Sequence, residues 1–202
     1  GDRYLISGRK IYISRVQHSD MMLLLARTTP REEVERKSEG LSVFLVDLRE
    51  AVGSGLTVKP RRVMLNNETN ELVFEDLAVP AENLVGEEGR GLRYILDGMN
   101  AERILIAAEC VGNGRWFVER SAARARKRVV FGRPIGKNQG VQFPIAKAHI
   151  SVEAADLMRS RAAELFDGGE PCGAEANMAL LLAAEAAWEA ARSEEHTSEL
   201  QS

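Results

Sequence analysis

The stretch Asn100-Ala-Glu-Arg-Ile-Leu-Ile-Ala-Ala108 sets two adjacent charges, Glu102 and Arg103, directly ahead of an apolar run. On a helix, the neighbours of a side chain lie three and four residues away. For Glu102 these are Gly98, Met99, Leu105 and Ile106; for Arg103 they are Met99, Asn100, Ile106 and Ala107. Neither charge has a helical partner of opposite sign. A carboxylate among apolar neighbours has its charged form disfavoured and its pKa raised, the condition a general base working near neutral pH requires. Gly98, one turn earlier, leaves room for a ligand. Glu109 also lacks a helical partner, and the spacing is equally compatible with Glu102 turned to solvent; periodicity does not choose among these.

Two further patterns could carry chemistry. Arg124, Arg126, Lys127 and Arg128 close a helical stretch and lead into Val-Val-Phe-Gly-Arg133. Basic side chains entering a glycine-containing loop suit a phosphate or pyrophosphate. A solvated face favoured by the helix C-terminal dipole is the plainer alternative. Tyr12 and Ser14 lie two apart on a strand, so alternation puts them on one side, where an aromatic and a hydroxyl could meet a flat ring system. An ordinary sheet surface is the competing reading.

The elements that must position these residues change character near Gly86. Before it the chain is β-rich: Tyr4 to Ser14 reads as two short strands about a turn at Gly8, followed by apolar runs at Met21–Ala26, Leu41–Leu48 and Glu71–Phe74. Thr28 to Gly40 is polar, contains Pro30 and reads as a surface loop. From Leu92 to about Lys127 the periodicity is helical, with Leu92, Ile95, Leu96, Met99, Arg103, Ile106 and Ala107 near one face. Phe131 to Gln142 reads as a loop, with a second helix running to Phe166. Asp167 to Pro171 is a break, and an alanine-rich helix spans about Ala174 to Ala191. Strands followed by helices without alternation give an α+β fold, and no G-x-G-x-x-G opens a helix after a strand. The predicted domains are 1–86, an antiparallel β-domain, and 87–191, a helical bundle, each partial. Residues 192–202 change composition abruptly and resemble translated adaptor sequence, so they read as a non-native tail.

Composition narrows the class. The 202 residues are 45% apolar and 28% charged with net charge −3, an ordinary globular balance that argues against a surface built for nucleic acid. No apolar run reaches the length of a membrane span, and the N-terminus carries no signal pattern. Cys110 and Cys172 have no paired spacing and read as two buried reduced thiols in a cytosolic protein. His18, His149 and His196 have no metal-ligand spacing, so no metal is expected.

Five motifs in order resemble the acyl-CoA dehydrogenases over nearly all of positions 1 to 191: Gly8-Arg-Lys-Ile-Tyr-Ile-Ser14, Val73-Phe-Glu-Asp-Leu-Ala-Val-Pro-Ala-Glu-Asn-Leu84, Gly86-Glu-Glu-Gly-Arg-Gly91, Ala101-Glu-Arg103 and Val130-Phe-Gly-Arg-Pro-Ile-Gly-Lys-Asn-Gln139. The resemblance implies FAD as cofactor. Tyr12, Ile13 and Ser14 match the family's strand on the flavin, with Tyr12 in place of the usual Trp. Arg128, Phe131 and Gly132 match its Arg-x-x-Phe-Gly motif, whose arginine grips the FAD pyrophosphate of a neighbouring subunit. Asn138 and Gln139 match a pair touching the same cofactor. Glu102 matches the catalytic base of the isovaleryl-type and long-chain branches, which separates it from Glu109. Asn100 and Arg103 fall at substrate-side positions.

The implied reaction is α,β-dehydrogenation of an acyl-CoA thioester to a trans-2-enoyl-CoA, as in fatty-acid β-oxidation. Electron-transfer flavoprotein is the implied acceptor, in a cytoplasmic homodimer or homotetramer. A flavin oxidase on the same fold, or a DNA-binding relative acting in alkylation response, are the alternatives. As a fragment, the chain alone is expected to be inactive.

Overall fold

The computed structural model describes residues 2–64 and 68–199, with side chains described to residue 194. The fold is α+β, and the chain divides into two units, Gly1–Leu96 and Asp97–Ser202.

The first unit holds β1 (Arg3–Ser14), β2 (Met21–Arg27), β3 (Leu41–Asp47), the short helix α1 (Leu48–Ala51), β4 (Leu56–Pro60), β5 (Thr69–Pro80) and β6 (Leu84–Val85). The strands form two antiparallel three-stranded sheets, ordered β1-β5-β4 and β2-β3-β6. Their apolar faces share one core, with Leu24, Phe44 and Val46 from one sheet and Leu56, Leu72, Phe74 and Leu77 from the other. Each such side chain, once fully buried, contributes about 1.5–3 kcal/mol. Tyr4 packs edge-on against Phe44 with ring centroids 4.8 Å apart.

Two sequence expectations change here. Gly8 does not make a turn: β1 is one continuous strand, with a register shift between Ile6 and Gly8. The irregularity is stitched from the side, since Ser7 Oγ donates to Asp76 Oδ1 at 2.8 Å and accepts from the Asp76 N–H at 2.9 Å. β5 runs to Pro80, well past the Phe74 expected, because β1 supplies a pairing partner along its whole length.

The second unit is built from most of α2 (Gly91–Lys127), the hairpin β7 (Val129–Val130) and β8 (Arg133–Pro134), α3 (Gln139–Asp167) and α4 (Gly173–Glu199). Its core is unusually small in side-chain size. α4 contributes Ala176, Ala179, Ala183, Ala186 and Ala190, a three-four spacing that keeps one seam facing inward. Against it lie Ala148, Val152, Ala155 and Ala162 of α3 and Ile104, Ala107 and Val111 of α2. The buried stripe of α2 runs Ile104-Ala107-Val111 and on through Gly114, Ser121 and Ala125; Leu96 and Ile106, grouped with Ala107 near one face by the periodicity, are exposed. The turn after α3 uses Gly169 at φ +69°, with Glu170 N–H donating to Leu165 O at 2.9 Å. The region expected as a loop from Phe131 to Gln142 is ordered into β8, a 3-10 turn at Ile135–Lys137 and the start of α3. α4 continues as helix to Glu199, through most of the segment read as a non-native tail. Cys172 is buried, but Cys110 is only half-buried.

Candidate functional site

In the first unit the decisive feature is an irregularity in β1. Ile11 pairs with Glu71 and Ile13 pairs with Asn70, so Tyr12 is an extra, unpaired residue. It is a β-bulge with φ +63°, a left-handed conformation that costs a residue other than glycine about 1–2 kcal/mol. Alternation leads one to expect Tyr12 and Ser14 on one side of the strand with Ile13 on the other. Tyr12 projects outward, 71% exposed, Ile13 turns in to pack on the β core, and Ser14 is exposed.

Across from the bulge sits a buried carboxylate paired with two exposed arginines. Glu71, 2% exposed, accepts from Arg9 Nε at 2.8 Å and from Nη2 of both Arg9 and Arg61. The hydrogen bond from Arg61, then that from Arg9, holds its carboxyl below the usual carboxylate range against the opposing effect of burial.

In the second unit, Arg120, Arg124, Lys127 and Arg128 line a cavity of about 670 Å³ together with Ala123 and Glu194. Arg128 Nη1 is buried and has no hydrogen-bond partner. This lack of a partner holds among the described residues, and a buried donor left unmade costs about 1–3 kcal/mol, more for a charged group. Arg126, named with this cluster from sequence, instead lines a separate groove between α2 and α3 with Arg115, His149 and Glu153. Arg120 was missed. Its signal was the spacing 120, 124, 128, which puts three arginines on one helical face. Arg120 also lies over the Trp116 ring, 4.8 Å from its centroid.

Beyond Arg128 the chain turns sharply. Val130 pairs with Arg133, and Phe131 (φ +52°) and Gly132 (φ +76°) form the two-residue loop, a type I′ geometry. Phe131 at the apex is fully exposed. Arg133 Nη2 donates to Asn138 Oδ1 at 2.8 Å, so the Asn138 side chain is held by the hairpin and does not cap α3. Gln139 opens α3 and is exposed.

Further back on α2, Arg103 Nη1 donates to Asn100 Oδ1 at 3.1 Å. Glu102 has no hydrogen bond or ion pair among the described residues, in keeping with its lack of a helical partner. It is exposed, however, and so are Leu105 (69%) and Ile106 beside it. The apolar surroundings expected for its carboxylate are present, but they lie open. Glu109 is likewise exposed.

Comparison with known proteins bears on these positions. Residues 1–77 match the acyl-CoA dehydrogenase middle domain, and residues 89–195 match the acyl-CoA dehydrogenase C-terminal domain. The chain belongs to the acyl-CoA dehydrogenase family. An acyl-CoA dehydrogenase of Bacillus subtilis (strain 168) is 36% identical over 190 residues, covering 94% of this chain and 49% of its own length. The glutaryl-coenzyme A dehydrogenase–glutaryl-CoA complex superposes with TM-score 0.86 at 30% identity, over 98% of this chain and 49% of that one. The prolyl acyl carrier protein oxidase AnaB superposes with TM-score 0.90 at 29% identity, over 99% of this chain and 52% of that one. The chain thus spans about half the length of the curated relatives it matches. Among the described residues no helix is long and apolar enough to cross a membrane.

Proposed function

We propose that this chain forms part of an FAD-dependent enzyme that oxidises an acyl-CoA thioester to a trans-2-enoyl-CoA and delivers the electrons to electron-transfer flavoprotein. The observation that carries the proposal is the buried Nη1 of Arg128, without a partner among the described residues, in a cavity lined by three further cations and one acid, Glu194, within a chain of this family. A planar guanidinium with an idle donor fits a pyrophosphate by charge and by geometry. Arg128 would grip the FAD pyrophosphate of a neighbouring subunit, with Phe131, Asn138 and Gln139 beside it, which makes the working form a homodimer or homotetramer. Tyr12, Ile13 and Ser14 would face the flavin, Tyr12 with its ring and Ser14 with its hydroxyl. We assign the protein to the cytoplasm, where its free thiols would remain reduced.

Glu102 takes the α-proton of the thioester on a carboxylate oxygen. With no ion pair among the described residues both of its oxygens are available, and an acyl chain laid over Leu105 and Ile106 would clear water from around it. Asn100, its amide oriented by Arg103, meets the coenzyme A portion of the substrate. Bound FAD supplies the acceptor for the β-hydrogen and its electron pair.

The test is anaerobic mixing of the FAD-loaded protein that carries this chain with a panel of saturated acyl-CoA thioesters. Loss of the oxidised-flavin absorbance with at least one thioester is expected; no change with any of them would sink the proposal. A flavin oxidase is a second reading, favoured by the superposition on the prolyl acyl carrier protein oxidase. Rapid return of the oxidised spectrum in air without a carrier protein would select it.

A further inference from the structure

β5 places Asn70 opposite the Tyr12 bulge, and Asn70 is completely buried. Its Nδ2, with two hydrogens to share, lies within hydrogen-bond distance of Ile13 O at 3.1 Å, Glu68 O at 2.5 Å and Gln17 Oε1 at 3.1 Å. Its Oδ1 accepts from Gln17 Nε2 at 2.7 Å. One amide therefore ties the residue after the bulge, the 3-10 turn Val16–His18 and the approach to β5. A bulge disrupts the ladder and leaves main-chain groups in need of other partners. Here a side chain from the neighbouring strand provides one. Asparagine is disfavoured within strands, which is the signal the sequence offered for it.

The consequence reaches Ser14. A trans peptide points its C=O and N–H in opposite directions, and no cis peptide occurs among the described residues. Ile13 O faces β5 through Asn70, so the Ser14 N–H faces the other way, outward from β1, the edge strand of its sheet. Asn70 thereby holds the main chain directly after the Tyr12 bulge, at Ile13 and Ser14.

We propose that Asn70, assisted by Gln17, is a positioning residue that sets the Tyr12–Ser14 segment for contact with the flavin, an inference that rests on the assignment of that segment to the cofactor. The test uses Asn70→Ala and Asn70→Asp in the FAD-loaded protein that carries this chain, since the aspartate keeps the shape and removes the donors. Amide exchange across residues 12–19 should rise by roughly tenfold, the scale of one lost buried hydrogen bond, with α3 and α4 unaffected. The flavin absorbance and reduction potential should shift, and kcat should fall with KM for the thioester little changed. Gln17→Ala, an exposed and milder change, should move every readout in the same direction and serves if the Asn70 variants do not fold. Unchanged exchange over residues 12–19 in the variants that fold overturns the positioning role itself. Raised exchange with unaltered flavin spectrum, potential and kcat also overturns the proposal, and places the fault in the cofactor assignment of Tyr12–Ser14.

Discussion

Gly114 of α2 and Val152 of α3 meet so closely that a Cβ on Gly114 would lie 2.6 Å from Val152 Cγ2 and 3.6 Å from Ala187 Cα. Gly112, two residues earlier on the same helix, has nothing within 4 Å of the equivalent position. Replacing glycine by alanine in an open helix interior gains about 1 kcal/mol. Gly112→Ala should therefore raise stability by up to about 1 kcal/mol. Gly114→Ala should lower it by about 1–3 kcal/mol, because Val152 is 1% exposed and stiff at χ1. Denaturant midpoints of the two variants check this; shifts of the same sign would contradict the packing described.

Glu71 makes a pH-dependent contribution to the first unit. Its folded pKa lies below the ordinary value because Arg61, then Arg9, bonds the ionised form. The unfolded chain therefore takes up the proton more readily than the folded one. The stabilisation is complete above the unfolded carboxylate value of about 4.3 and is lost as pH falls through the lower folded value. Glu71→Gln should be less stable at neutral pH and should flatten this part of the acid limb. Denaturant unfolding across that pH range, monitored on β-sheet signal, reads the slope; an unchanged acid limb in the variant would exclude Glu71 as its source.

Glu102→Gln tests the base. The amide cannot accept the α-proton, so reduction of bound flavin by acyl-CoA should slow by about 10²–10⁴-fold. FAD content should hold, because Glu102 does not line the Arg128 cavity. Stopped-flow flavin absorbance gives the rate, and a variant close to wild type would move the role to another carboxylate.

Arg128→Ala tests the anion site. Its removal should leave the helices folded while FAD is lost on gel filtration, read from the ratio of flavin to protein absorbance. Arg126→Ala is the matched control, because Arg126 lines the other groove and should retain flavin. Equal retention in both variants would count against a pyrophosphate at Arg128.

Much of this architecture was legible because it depends on local pattern. The apolar runs of β2 and β3 and the helical period of α2 sit where the sequence placed them. β4 was not legible: Leu56-Thr-Val-Lys-Pro60 is short, ends in proline and becomes a strand only because β5 pairs with it. The two irregularities of β1 belong to its partner as much as to itself, so Gly8 read as a turn and Tyr12 as a regular strand residue. At the candidate site, residue types and helical spacing pointed to Arg128 and to the unpaired state of Glu102. Exposure was another matter, since whether Leu105 and Ile106 lie open is decided by elements other than α2. Nor does an aromatic side chain announce a left-handed backbone, which its Cβ opposes.

Tyr12 and Phe131 both hold an exposed ring on a positive-φ backbone. At each position glycine would relax the chain, and at each it would delete the ring. Selection for heat resistance alone would therefore steer directed evolution of this chain toward losing both aromatics. A library screened without a flavin-dependent readout would yield hardier molecules, emptied of two of the groups proposed to touch the flavin cofactor.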